Sequence, residues 1–214
     1  MRGLDRDTLP MLGMHLLPLL GVWLAGWNAG NLLILYWLES AVIGLWTVAL
    51  VAAAPAQPLN ILSGPSHAAT TGGGMALFIL VHAGFFMGIH LFFLDSAFEV
   101  TQVDLHGSLP AAIVHMVLEG GLWLPLAGVF VIRMLVTVQA LQRREPVQRQ
   151  IIGFYFRIVV MQLAIILGGF LMFMVGPIAA LITLVAVRLG FELAVPGVED
   201  YVERHVEELQ RKTG

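Results

Sequence analysis

Glu39, His82 and His90 are the residues of this chain whose types best suit acid-base chemistry, and each lies inside an apolar run. A carboxyl and an imidazole taken out of water are tuned for proton transfer near neutral pH. These three are therefore the candidate catalytic residues. Tyr36, Ser40, Arg133, Arg157, Gln162, Arg188 and Glu192 are further polar groups within apolar runs, and form a candidate substrate-binding or structural cluster. His82 and His90 are eight residues apart, which on a straight helix separates them by about 12 Å and about 80°. One metal ion cannot bind both, and no metal site is expected. No HExxH, GxSxG or comparable catalytic motif is present. The absence of cysteine removes thiol redox chemistry, thiolate metal sites and iron-sulfur clusters.

The elements that must position these groups follow from composition. With 58% hydrophobic and 12% charged residues in 214, and a mean hydropathy of +0.87, the chain has too little polar surface for a water-soluble globule. It reads as an all-α, polytopic integral membrane bundle. Six spans are expected, near Leu9–Trp27, Leu32–Ala54, Met75–Leu94, Gly121–Leu141, Ile152–Val175 and Ile178–Val195. The second is the one around which the others must be arranged, because it is long enough to span and carries Glu39 deep inside. Residues 1–214 form a single transmembrane domain, with a short N-terminus over 1–8 and an amphipathic, solvated tail over 197–214.

Pro55 to Gly74 reads as loop, ending in the run Gly72-Gly73-Gly74. Leu109–Leu118 is too short to span and reads as an interfacial or re-entrant helix. The acidic residues Asp5 and Asp7, and the failed cleavage pattern, argue against a signal peptide. Basic residues flank the first, fourth and sixth spans on one side only, so both termini are expected in the cytoplasm and the protein in the plasma (inner) membrane as a multi-pass protein. Trp27 and Trp123 fall where rings anchor helix ends at headgroup level.

Centring each span on the bilayer at 1.5 Å per residue puts Glu39, His90 and Arg188 in one layer. His15, His82, Arg133, Arg157 and Glu192 fall in a second, with Gln162 near the middle. Tyr36, Glu39, Ser40, Ile43 and Thr47 share one helix face. A carboxylate at such depth requires partners, and Arg188 is the expected one. Gly84 with Gly88, and Gly168 with Gly169, are small residues suited to close helix approach.

At YWLES, VHAGFFMGIH and RIVVMQLAIILGGFLMFMVGPIAALI, the sequence resembles a family of prokaryotic multi-span membrane proteins known only as a domain of unknown function. The resemblance covers most of the chain. Its pattern has Tyr-Trp-x-Glu followed by Asn, His-Tyr-Gly, and Arg-x4-His before Gly-Gly. The resemblance carries over onto Tyr36, Trp37, Glu39, His82, Gly84, Arg157, Gly168 and Gly169. Ser40, Ala83 and Gln162 depart from the pattern, so any role of a second histidine does not transfer to Gln162. The resemblance implies membrane architecture and supplies no activity.

Three functions are compatible with these residues. One is an intramembrane enzyme acting on a lipid-like or small amphipathic substrate, with Glu39 and His82 or His90 as acid and base. Another is a carrier or binding protein for a proton or an anionic solute, since three arginines face two glutamates in the spans. The third is an accessory membrane subunit whose polar residues specify helix packing. The partners these readings imply are the lipid bilayer and a lipid-like or anionic small molecule. A net charge of -3 without a basic patch argues against nucleic acid. No cofactor is assigned; haem held by two histidines such as His15 and His82 is the lesser option.

Overall fold

The computed structural model describes residues 21–24, 26–55, 72–98, 108–145, 147–176, 182–187 and 189–190. All regular structure among them is helical. We number the helices α1 (Ala29–Ala53), α2 (Gly72–Phe98), α3 (Leu109–Leu118), α4 (Trp123–Arg143) and α5 (Val147–Met174). All but the ten-residue α3 are long and apolar enough to cross a membrane. The first and sixth expected spans lie mostly outside the described residues. Within them, 21–24, 182–187 and 189–190 are helical.

α1 begins where its sequence caps it. The Asn28 side chain accepts from the Asn31 amide at 3.0 Å, and the Asn31 side chain accepts from the Asn28 amide at 3.1 Å. This reciprocal box satisfies two amides that the first turn leaves unbonded. Just before it, Gly26 has φ +69, a left-handed conformation that a residue without Cβ adopts freely. The chain turns there and carries Trp27 inward. Trp27 is buried and its Nε1 donates to the Gly120 carbonyl at 2.8 Å, tying the start of α1 to the turn between α3 and α4. The expected headgroup-anchor role of Trp27 is thus corrected, whereas Trp123 is exposed at the start of α4.

A second correction concerns Gly72 to Gly74, expected as loop. These residues open α2, and Gly72 passes close to the end of α1. A Cβ on Gly72 would stand 2.7 Å from the Val51 carbonyl oxygen and 3.2 Å from that of Ala54.

α1 is the central helix. Of its most apolar 18-residue window, 56% is buried, against 17% for α4. It packs on α2, α4 and α5, and α2 also touches α5. Against α2 it runs antiparallel, with Gly72 beside Val51 at one end and Trp37 Nε1 donating to the Met87 carbonyl at 2.9 Å farther along. The buried residues of α2 (Met75, Ala76, Ile79, Ala83, Met87, His90 and Leu94) form a single stripe, recurring at three- and four-residue spacing from Met75 and Ala76 onward. On the α5 side, Gly44 admits the Phe154 ring: a Cβ at position 44 would lie 2.7 Å from its Cζ. On the α4 side, Trp46 meets Phe130 edge-to-face with ring centroids 5.2 Å apart.

Of the four glycines expected to serve close approach, Gly168 does so, its Cβ direction being filled by Leu184 at 3.1 Å. A Cβ on Gly84 or Gly88 would meet nothing within 4 Å among the described residues. Both glycines line an open apolar groove of about 460 Å³ between α1 and α2.

Candidate functional site

The five residues of α1 expected on one face are all buried: Tyr36, Glu39, Ser40, Ile43 and Thr47. Two hydroxyls on that face are satisfied within the helix, Ser40 Oγ donating to the Tyr36 carbonyl at 2.8 Å and Thr47 Oγ1 to the Ile43 carbonyl at 2.9 Å. Such back-bonding to the residue four earlier lets a hydroxyl sit in apolar surroundings without a cross-helix partner. Glu39 is only 4% exposed, and an ionised carboxylate so placed is costly unless opposite charge or hydrogen-bond donors surround it.

The face supplies a cation. Tyr36, Glu39 and Ser40 line a cavity of about 40 Å³ together with Arg157, Val160, Met161 and Ala164 of α5, and with Leu184 and Val187 of the segment beyond it. The pairing of levels is consistent along the seam. Gly44 faces Phe154, and the cavity residues of α1 (33–40) precede Gly44 while those of α5 (157–164) follow Phe154, as two antiparallel helices require. Glu39 therefore lies within about 3 Å in height of Arg157 at 1.5 Å per residue. Arg157 is partly buried.

Neither candidate histidine lines this cavity. The contacts of α2 with α1 set Glu39 nearly level with Phe85, so His90 stands about 7.5 Å toward the Ala29 end and His82 about 4.5 Å toward the Ala53 end. The direction also differs. The α1 residues facing the groove with α2 (Trp37, Ala41, Gly44 and Val48) point roughly 120° away from the Glu39 face at 100° per residue.

His90 is 2% exposed, with Nδ1 2.6 Å from the Phe86 carbonyl. Because a carbonyl only accepts, Nδ1 carries the proton and donates, and the buried Nε2 has no hydrogen-bond partner among the described residues. His82 is exposed and pairs across to α5, its Nδ1 3.0 Å from the Tyr155 hydroxyl. It is ringed by Phe78, stacked at 5.2 Å, and Phe86, tilted at 5.2 Å.

The remaining candidates disperse. Gln162 points about 150° away from the α5 stripe that lines the cavity. Arg133 is on the face of α4 that carries Val129 and Thr137, and it does not line the cavity. Arg188, Glu192 and His15 lie outside the described residues. Among the described residues, no group of three or more His, Asp or Glu side chains is placed to hold a metal ion. Sequence reasoning overlooked Tyr155, although a tyrosine two residues before Arg157 in an apolar run was a readable signal. It also missed the Gly44–Phe154 fit, because nothing local marks which glycine meets a ring from another helix.

A family of unknown function, DUF6498, matches residues 2–213. The chain belongs to DUF6498. The match spans nearly the whole chain, so α1 and α5, the two helices that build the Glu39 cavity, fall within one family unit. No curated protein and no solved structure matches this DUF6498 member. Its chemistry must therefore be read from the geometry of its own side chains.

Proposed function

We propose that this DUF6498 member is a multi-pass integral membrane protein that binds and carries a proton at the Glu39–Arg157 cavity. The observation that supports it is a carboxyl 4% exposed, level with an arginine, beside a cavity of about 40 Å³ midway along two apolar helices. That volume admits water. Its lining is apolar apart from Tyr36, Glu39, Ser40 and Arg157, which favours a small hydrated proton site over solute carriage. The enzyme reading needs Glu39 beside His82 or His90, and the arrangement of α1 and α2 separates them. Six spans, both termini in the cytoplasm and residence in the inner membrane complete the proposal, supported by the one-sided basic residues.

The test is proton entry into proteoliposomes that hold a pH-sensitive dye, driven by a potassium diffusion potential. The wild-type protein should acidify the lumen faster than empty liposomes, and Glu39→Gln should abolish the difference. Wild-type vesicles no faster than empty ones would refute carriage. Because removing one member of a buried charge pair costs about 3–5 kcal/mol, Glu39→Gln is compared with Glu39→Gln/Arg157→Met and Glu39→Gln/Arg188→Met. The double variant that recovers thermal stability identifies the cation that neutralises Glu39, and it should remain inactive. Transport by that double variant would overturn the assignment to Glu39.

A further inference from the structure

The Glu39 cavity lies off-centre between the two ends of the helices that build it. Glu39, Ser40 and Arg157 line it toward the Ala53 end of α1, and Leu33, Ala164 and Leu184 line it toward the Ala29 end. Gly44 and Phe154 are level, so on antiparallel helices Gly30 is level with Gly168, each being equally far from that contact. At those two glycines the apolar spans of α1 and α5, Gly30–Ala53 and Val147–Gly168, also stop. From Leu33 to Gly30, or from Ala164 to Gly168, is about 4–6 Å at 1.5 Å per residue. From Arg157 to Val147, or from Ser40 to Ala53, is about 15–20 Å on the same rise. About one helical turn of apolar side chains thus closes the cavity toward the Ala29 end, against about three toward the Ala53 end.

The two barriers are built differently. Toward the Ala53 end the α1–α5 contact itself is the barrier, with Ile43, Thr47 and Leu50 on one helix and Val147, Ile151 and Phe154 on the other, all buried. Opening it means parting the helices. Toward the Ala29 end the closing residue comes from a separate segment. Leu184, in the helical piece 182–187, is 0% exposed. Its Cδ2 and Cγ stand 3.1 and 3.3 Å from where a Cβ on Gly168 would be, so the leucine is seated on that glycine.

We propose that protons reach Glu39 from the Ala29 end, and that Leu184 seated on Gly168 is the residue that bars the way. The inference rests on the reading of the Glu39 cavity as a proton site, and adds the route to it and the side chain that controls it. A leucine changes rotamer within its own helix, so this one layer opens while α1 and α5 stay packed. The long barrier stays shut meanwhile, which keeps the site from facing both sides of the membrane at once.

The test puts a single cysteine at Ser40, which lines the cavity, in the full and otherwise cysteine-free chain. Silver ion is small, reacts with thiols and does not cross lipid. It is applied to intact cells or to inside-out vesicles, and the thiols left unreacted are counted with a maleimide after solubilisation. Ser108→Cys marks the Ala29 side, where the bond from Trp27 to Gly120 holds the turn after α3, and Gln148→Cys at the start of α5 marks the Ala53 side. With leucine at 184, Ser40→Cys should react slowly from the Ala29 side and not from the other. Leu184→Ala should speed the reaction from the Ala29 side at least several-fold, and Leu184→Met, of similar volume, should keep it slow. Gly168→Ala, which displaces the leucine from its seat, should speed it as well, and serves as the second test if Leu184→Ala does not fold. Leu50→Ala, on the opposite side of the cavity, should leave the rate unchanged. Thermal unfolding checks that each variant is folded. Equal rates with leucine and alanine at 184, or entry from the Ala53 side alone, would overturn the proposal. Silver access needs no proton transport, so failure of this barrier and failure of proton carriage are read separately.

Discussion

Gly44→Ala is a small change with a large expected consequence, because the added methyl has no room. Its Cβ would stand 2.7 Å from Phe154 Cζ and 2.9 Å from Cε2, whereas carbon atoms pack best at about 3.5–4.0 Å. Roughly 1 Å of separation must therefore be made up by moving the ring or by sliding α5 off α1. Phe154 is buried, so the ring moves only by disturbing its neighbours. Overpacking of this kind costs about 1–3 kcal/mol. For a chain of this size each kcal/mol shifts the melting temperature by about 2–4 °C, so Gly44→Ala should melt several degrees lower in detergent. Phe154→Leu removes the ring atoms responsible, and in the double variant part of that loss should return as a coupling of about 1 kcal/mol or more. Gly88→Ala is the matched control, since a Cβ there meets nothing within 4 Å among the described residues and alanine is the better helix former. A Gly44→Ala protein that melts with the wild type, or effects that add without coupling, would refute the α1–α5 register and with it the juxtaposition of Glu39 and Arg157.

Other consequences follow from the same geometry. His90→Leu replaces a buried imidazole whose Nε2 has no hydrogen bond among the described residues by an apolar group of similar size, so thermal stability should be unchanged or raised. Proton entry into proteoliposomes should also be unchanged, and its loss would return His90 to the chemistry. Cysteines introduced singly into this cysteine-free chain should label from outside intact cells at Ser108 and not at Ser66, Gln148 or Thr213. External labelling at Thr213 would reverse the proposed orientation.

Local pattern was enough to establish the helices and the central one among them. Apolar runs of spanning length mark α1, α2, α4 and α5, because hydrophobicity and helix length are properties of consecutive residues. The short α3 falls on Leu109–Leu118 as its sequence suggests. Helical phase alone also put Tyr36, Glu39, Ser40, Ile43 and Thr47 on one buried face of α1, since 100° per residue is independent of neighbouring helices. What the sequence left open was which face meets which helix and at what height. Centring each span on a bilayer put Glu39 level with His90. The contacts of Trp37 with Met87, and of Gly72 with the end of α1, shift α2 so that the two separate. Trp27 turned inward because Gly26 bends the chain before it, and Gly72 to Gly74, loop-like in composition, open α2, with Gly72 close against the end of α1. The pairing of Arg157 with the Glu39 cavity, and of His82 with Tyr155, depended on the rotation and offset of α5. Those are set by how the Phe154 ring seats on Gly44, a fit between residues more than a hundred positions apart in the chain.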